Sequence, residues 1–421
     1  MIQAPSLHKI VTRQEKIFSC IIVLMAVFHV YEPPSIPITL GEMLMFLCIP
    51  LYSKRNMQFP FNRQEIGFIL FFFYMAVSSM ILGIVFDATM SKYFSIARAF
   101  FYWVLIFYFG KNVFNKDVFE KWMIVFSVTL SILIFFQLII YFTTGKYILC
   151  IIPGLKISNG AENALWLYQH DLSLASSRGF IRPCGFLAEP AHACQFLFIS
   201  VVSLICNKTV LFKKKILLAF LFSGAVIASQ STTGIVLLGL AWFLFVSIEK
   251  RFSVFRFPLV LMLFAFVFYV LFSSDVSNIS SVERVINIVN SSEIDGSSNV
   301  RLKNGMNLFS DLPFVFKVFG TGAGLSEYVF SSFGLREASS YMNALAGIFF
   351  STGIIGGVIW IVSLVIMFVM SGLLGKSLVV GFFIMSLGCS IYCQPQMVWF
   401  FLLILADIKE KNDRYSRIKL Q

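Results

Sequence analysis

The sequence predicts an all-α polytopic membrane protein of about twelve transmembrane helices, with two long loops on one side. Three observations predict it. Hydrophobic residues fill 58% of 421 positions, charged residues only 13%, and the mean hydropathy is +0.85, far more apolar surface than one soluble core can bury. The apolar residues gather into runs long enough to cross a bilayer as helices, which satisfy their own backbone in hydrocarbon. The Lys and Arg residues fall between alternate runs, as the positive-inside rule demands of cytoplasmic loops.

The first run, 17–31, follows Lys9, Arg13 and Lys16; it has no small-residue cleavage site and reads as a retained helix. The second, 36–52, carries Glu42. Lys54, Arg55 and Arg63 separate it from the third, 66–86, and only Lys92 lies between that run and the fourth, 93–110, which holds Arg98. Lys111, Lys116 and Lys121 lead into the fifth, 122–144. A long segment, 145–187, then precedes the sixth run, 188–206. Lys208 and Lys213 to Lys215 stand before the seventh, 214–229, and the turn "SQSTTG" joins it to the eighth, 232–248, with hydroxyls suited to cap that helix. Lys250, Arg251 and Arg256 come before the ninth, 255–273.

The second long segment, 274–341, contains the polar patch "NSSEIDGSSN" and then recovers aromatic and glycine content in "LFSDLPFVFKVFGTGAGLSEYVF", which predicts a folded cap with short helices. The tenth run, 342–370, is followed by Lys376 and the eleventh, 377–391. Pro395 either separates this from the twelfth, 395–408, or kinks the pair. Lys409, Lys411, Arg414, Arg417 and Lys419 close the chain. The pattern makes 1–421 a single membrane domain with both termini cytoplasmic and both long loops on the outer side.

The net charge of +12 is spread over membrane loops rather than focused on a face with stacking aromatics, so no nucleic-acid partner is expected. Six of the eight cysteines fall in or at helices as small hydrophobes. Cys150 and Cys184 share the outer side, where an oxidising compartment would allow a disulfide. Cys389 and Cys393 have no accompanying His or second pair, and no metal or cofactor site is expected.

Chemistry-bearing residues are few. An ionisable group inside a membrane span is a functional candidate by default. Glu42, Arg98 and His29 qualify, although Arg98 lies near enough to the outer end of its helix to snorkel to headgroups. The stretch "RPCGFLAEPAHA", 182–193, opens the sixth helix with Pro190 in the first helical position. Glu189 and His192 are three apart and are expected to share a helical face, with Arg178 and Arg182 just ahead of them where a lipid headgroup would lie. The plainer alternatives are that Glu189 caps the helix and His192 is an interfacial histidine. Arg301 and Lys303 in "SNVRLKNG" are a second cationic pair, or a solvated surface pair. "GTGAG", 320–324, lacks the strand and the Lys-Ser/Thr of a phosphate loop and predicts a tight turn. The two halves of the chain show no repeat, and the charges gather toward the outer third rather than the midplane where transporters bind substrate.

Together with the twelve runs and the long outer loop between the ninth and tenth, "RPCGFLAEPAHA", "QSTTG", "NVRLKNGMNLFSDLPFVFKVFGTGAG" and "YMNALAGIFFSTGIIGG" resemble the Wzy-type O-antigen polymerases and the related O-antigen ligases over about 160 to 370. The resemblance implies a C-type glycosyltransferase in the bacterial inner membrane, using undecaprenyl-diphosphate-linked oligosaccharide at the periplasmic face without a metal, with both long loops periplasmic. A polymerase of this kind moves a growing glycan from its lipid carrier onto the terminal sugar of another lipid-linked repeat unit. Membrane lipid, a chain-length regulator and a flippase are the partners it implies.

In that reaction Arg98, Arg182 and Arg301, with Arg178 in reserve, would bind the departing diphosphate. Glu189 would be base or orienting acceptor for the attacking hydroxyl, with His192 its alternate. Family members often carry an Arg in the turn that reads "STTG" here and an aromatic where this chain has Gly305. Ligases place a histidine shortly before the tenth helix; "EASSYMNALAG" has none, which favours polymerase over ligase. A flippase or other transporter is the alternative outside the class.

Overall fold

The computed structural model describes residues 11–33, 38–52, 62–148, 156–157, 181–187, 189–207, 209–248, 305–333, 342–389 and 391–419. The ninth run, the "NSSEIDGSSN" patch, most of 145–187, and Arg178, Arg301, Lys303 and Cys150 lie outside these residues.

The described chain is mostly helical, and its helices fall on the apolar runs. In order they are α1 (Arg13–Phe28), α2 (Leu40–Tyr52), α3 (Arg63–Val85) and α4 (Met90–Val104), which passes through a π-helical stretch, Leu105–Phe109, into the short α5 (Gly110–Val113). Then come α6 (Lys116–Thr144), α7 (Pro190–Cys206), α8 (Phe212–Ala228) and α9 (Thr232–Ile248). Three short helices, α10 (Gly305–Asp311), α11 (Phe314–Phe319) and α12 (Ser326–Ser332), precede α13 (Ala344–Met370), α14 (Leu373–Gly388) and α15 (Gln396–Lys419). By length and composition Glu65–Val85, Lys116–Thr144 and Ala344–Met370 can each cross a membrane, and Pro190–Cys206, Thr233–Ser247 and Leu373–Gly388 are shorter apolar helices. The chain is a helical membrane protein.

Local sequence explains where the helices start. Thr12 and Glu15 form a capping box on α1: the Thr12 N–H donates to Glu15 Oε2 at 2.9 Å and the Glu15 N–H to Thr12 Oγ1 at 3.2 Å. Thr39 and Glu42 repeat it on α2 at 2.9 and 3.2 Å. Asn115 Oδ1 accepts from the Val118 N–H at 3.1 Å to start α6, which ends at Gly145 in the left-handed region, φ 69°. Asn343 Oδ1 accepts from the Ala346 N–H at 2.7 Å to start α13. Between α14 and α15 the chain turns through a 3₁₀ segment, Ile391–Cys393, and Pro395 stands immediately before α15, so the proline separates the last two runs instead of kinking one helix.

Aromatic rings fill the centre. Trp103 of α4 stacks on Phe72 and Phe68 of α3, with centroids 3.7 and 5.4 Å away. Trp360 of α13 meets Phe68 edge-on at 5.0 Å, and Phe401 of α15 meets Phe68 and Phe382 of α14 at 5.0 and 5.2 Å. Edge and offset contacts of this kind each add about 0.5–1.5 kcal/mol beyond area burial, which gives part of the chain's 50 phenylalanines a packing role. Other large apolar side chains point outward, among them Phe73, Ile84 and Phe142, 67, 76 and 73% exposed. This is the surface a bilayer covers.

The two ends of the bundle differ. At the basic end Lys116 Nζ pairs with Glu410 at 3.0 Å, Lys215 Nζ donates to the Ile205 carbonyl at 3.2 Å, and Lys411 Nζ donates to the carbonyls of Met370 and Ser371 at 3.1 and 3.0 Å. Lys215 and Lys411 thereby satisfy carbonyls left over where α7 and α13 end. At the other end a two-residue antiparallel pair joins β1 (Tyr31–Glu32) to β2 (Lys156–Ile157), and the short helices pack on α13 through Leu308, Leu312, Val329, Phe330 and Phe350.

Candidate functional site

The polar side chains at the end away from the basic loops are brought together from four helices, α1, α2, α4 and α7. Glu42 lies in the first turn of α2, placed there by the Thr39–Glu42 capping box. Across from it, α4 presents Arg98 and Tyr102, one turn apart and so on one face. Arg98 Nε lies 2.8 Å from Glu42 Oε1, and the Tyr102 hydroxyl donates to the same oxygen at 2.6 Å. Glu42 thus receives a backbone N–H, a phenol and a guanidinium. Its side chain is 3% exposed, whereas Arg98 remains 32% exposed. Arg98 is tied to a carboxylate instead of reaching alone for headgroups.

Two histidines join this group. His29, just past the end of α1, places Nδ1 3.4 Å from Thr39 Oγ1, and it lies within electrostatic range of Arg98 and His192. His192 is buried in the first turn of α7. The α1 end, the α2 start, the outer half of α4 and the α7 start therefore meet at one locus.

Helix α7 begins as its sequence predicts, with Pro190 first and Glu189 as N-cap. The expectation that Glu189 and His192 share a helical face is corrected. Glu189 has extended backbone, φ −137° and ψ 145°, so it sits outside the helix, is exposed, and makes no side-chain capping bond. His192 turns inward and Glu189 outward because helical periodicity starts only at Pro190.

Arg182, half-buried, lies within electrostatic range of Cys194, and Gly234 at the end of the serine-rich turn packs so closely on Cys194 that an added Cβ would run into its sulfur. The "SQSTTG" turn therefore docks on the start of α7. Ser231 caps α9 by accepting from the Gly234 N–H at 3.4 Å, as expected of its hydroxyls. Gln195 Nε2 reaches Cys389 Sγ at 3.2 Å, and the Ala344 N–H donates to the Cys389 carbonyl at 2.8 Å, which brings the start of α13 and the end of α14 to the same rim. Cys184 is buried, with Sγ 3.7 Å from the Tyr147 hydroxyl.

Of the residues singled out from sequence, Arg98 and His192 are brought into one cluster, Arg182 stands beside the same helix start, and Glu189 faces outward at its mouth. Tyr102, Thr39 and the approach of His29 to His192 were not anticipated. The Thr39–Glu42 spacing is legible as a capping box, but nothing local says which cation the glutamate will meet. Among the described residues no three His, Cys, Asp or Glu side chains gather closely enough to hold a metal. No protein-family model matches the chain, and no curated protein matches it either.

Proposed function

We propose that the chain is a C-type glycosyltransferase of the Wzy O-antigen polymerase kind, a twelve-span protein of the bacterial inner membrane with both termini cytoplasmic. The observation that supports this most is the polar rim away from the basic loops, where two arginines and two histidines stand around one helix start beside an outward-facing glutamate. In the proposed reaction a hydroxyl on the terminal sugar of one lipid-linked repeat attacks the anomeric carbon of the glycan carried on another. The new C–O bond forms as the bond to undecaprenyl diphosphate breaks. The hydroxyl proton passes to the Glu189 carboxylate, or to His192, and the departing diphosphate takes up the negative charge. Guanidinium forks suit that charge because they match phosphate oxygens in pairs and stay protonated.

Glu42 is a poor choice of base, since its lone pairs already hold three donors. Its role in this scheme is to aim Arg98. Arg182 is left as the cation closest in sequence to the glutamate, with Arg178 and Arg301 as further diphosphate ligands. The polar groups sit at one end of the bundle, which favours a surface reaction over midplane transport.

The test is surface polysaccharide length in a deletion strain complemented with wild type, Arg182→Ala, Arg182→Lys, Glu189→Gln or His192→Ala, at matched membrane levels. A polymerase leaves core capped by a single repeat in the deletion strain and in the Arg182→Ala strain. Glu189→Gln, as loss of a general base, slows polymer formation by about 10²–10⁴-fold, and Arg182→Lys restores the charge but not the fork. Uncapped core with long lipid-linked polymer identifies a ligase instead. Unpolymerised units held on the cytoplasmic face identify a flippase.

A further inference from the structure

The "GTGAG" segment is the one glycine-rich motif that the proposed reaction does not use, and its hydrogen bonds place it far below the end of the bundle. The Ala323 N–H donates to Ser79 Oγ at 2.8 Å, and the Tyr74 hydroxyl donates to the Phe319 carbonyl at 2.7 Å. Both partners belong to α3, which ends at Val85. At 1.5 Å per residue, Ser79 lies about 9 Å and Tyr74 about 16 Å below that end. On α13 the Thr321 and Gly322 N–H groups donate to the carbonyls of Phe350 and Ser351 at 2.8 and 3.0 Å. Phe350 and Ser351 are about 9–10 Å below the start of that helix at Ala344 by the same rise. Helix α13 is broken there: Gly353 has φ 65° and ψ −169°, and its α-carbon is packed against the Val318 carbonyl and the Gly320 nitrogen. The glycine-rich tip fills the break.

The segment goes down and comes back. Phe316 packs its ring on Phe86 at the end of α3, with centroids 6.4 Å apart, as a helix descending past that point would. After the tip, α12 returns to the rim, where the Tyr328 hydroxyl accepts from the Thr89 N–H at 3.2 Å and Glu327 meets Lys92 at 3.1 Å. Helices α3 and α13 are both long and apolar enough to span. We infer that residues 313–325 form a re-entrant hairpin that enters the membrane from the polar rim, and that its exposed apolar face touches lipid hydrocarbon.

Two observations point to lipid as the occupant of that face. Phe314, Val315 and Phe319 are 79, 60 and 52% exposed, a costly display in water for so short a helix. They continue the outward apolar surface of the two spans beside them, where Met80, Ile81 and Ile84 on α3 and Ile354 and Val358 on α13 are also exposed. Non-helical backbone is tolerated at membrane depth only where its polar groups are satisfied within the protein, and the carbonyl of Phe319 and the N–H groups of Thr321, Gly322 and Ala323 all are. Lys317, half-buried, has a stem long enough to carry its ammonium back to the headgroups. The inference rests on depth and packing alone and stands whatever reaction the protein catalyses.

The test is cysteine accessibility in the full-length protein reconstituted in phosphatidylcholine vesicles. Phe314→Cys and Phe319→Cys are made in a background without native cysteines, with Glu327→Cys as the rim control and Met80→Cys as the lipid-facing control. Reaction with a charged maleimide needs a hydrated thiolate, so both hairpin thiols are expected to react at least about tenfold more slowly than Glu327→Cys, the loss that one unit of thiol pKa produces. A bimane placed at either position is expected to be quenched by brominated acyl chains as at Met80→Cys. Photolabelling the unsubstituted chain with a diazirine on a lipid tail supplies a measurement free of mutations, with adducts expected on the peptide containing 313–325. Labelling of positions 314 and 319 at the Glu327→Cys rate, with no bromolipid quenching and no lipid adduct, would overturn the inference.

Discussion

At the scale of single residues, Glu42 decides how α2 and α4 meet. One oxygen of its buried carboxylate receives both Tyr102 and Arg98, while the other closes the first turn of its own helix. Tyr102→Phe removes one donor and leaves the ion pair, and polar contacts between membrane helices average about 0.6 kcal/mol and reach about 1.7. Arg98→Ala removes the counter-charge that the carboxylate contacts among the described residues. Breaking a fully buried pair costs about 3–5 kcal/mol, but Arg98 keeps a third of its surface exposed, so a loss of about 2 kcal/mol is expected. Thermal unfolding of the detergent-purified variants checks the order. A milder effect from Arg98→Ala than from Tyr102→Phe would mean that the ion pair does not hold these helices together. The double variant should destabilise by less than the sum of the two, because both side chains act on one oxygen.

At the scale of elements, helix positions were legible because an apolar run is a local signal and membrane helices need nothing else to form. The capping boxes of Thr12 with Glu15 and Thr39 with Glu42 are local signals of the same kind, but the sequence expectations did not include them. The breaks were not legible. Nothing in "STGIIGG" distinguishes Gly353, with a left-handed φ, from Gly356 and Gly357, which continue the helix, since glycine is common in membrane helices. Only the approach of the 318–322 backbone, drawn from outside the helix, selects the break. The clustered site was legible to a similar degree: Arg98, Arg182, Glu189 and His192 stand out by type, but tertiary packing alone brings His29 within electrostatic range of His192. The same logic yields a prediction. Gly145 and Gly353 both have positive φ, yet a Cβ at Gly145 meets open space while one at Gly353 runs into the Val318 carbonyl and the Gly320 nitrogen. Gly145→Ala should therefore cost only the left-handed penalty, about 1–2 kcal/mol. Gly353→Ala adds a backbone clash that the tip must move to relieve, so it should destabilise the protein more and expose 313–325 to protease. Equal melting temperatures for the two variants would show that the tip does not occupy the break.

At the scale of the whole molecule, packing at the polar rim constrains how often the chain crosses the membrane. Helix α9 starts at that rim, because Ser231 caps it there and Thr233 Oγ1 lies 2.9 Å from where a Cβ on Gly388 would stand. Its 17 residues carry it about 25 Å toward the basic end. Helix α13 also starts at the rim, with the Ala344 N–H on the Cys389 carbonyl. With α9 and α13 both starting at the rim, Ile248 and Asn343 lie toward opposite ends of the bundle, and the apolar run at 255–273 is expected to make the crossing between them. If the eleven other runs each cross as well, the count is twelve, an even number, and the two termini are expected on the same side. Reporter fusions test the parity directly. Green fluorescent protein, active only in the cytoplasm, should fluoresce when fused after Lys250 or at the C-terminus, and alkaline phosphatase, active only outside it, should work when fused after Asp87 or Ser332. Matching signals after Lys250 and Ser332 would mean that 255–273 does not cross, which would leave eleven spans and put the termini on opposite faces. The long segment carrying Arg301 would then lie on the same side as the basic loops, out of reach of a reaction centred on Arg182 and Glu189.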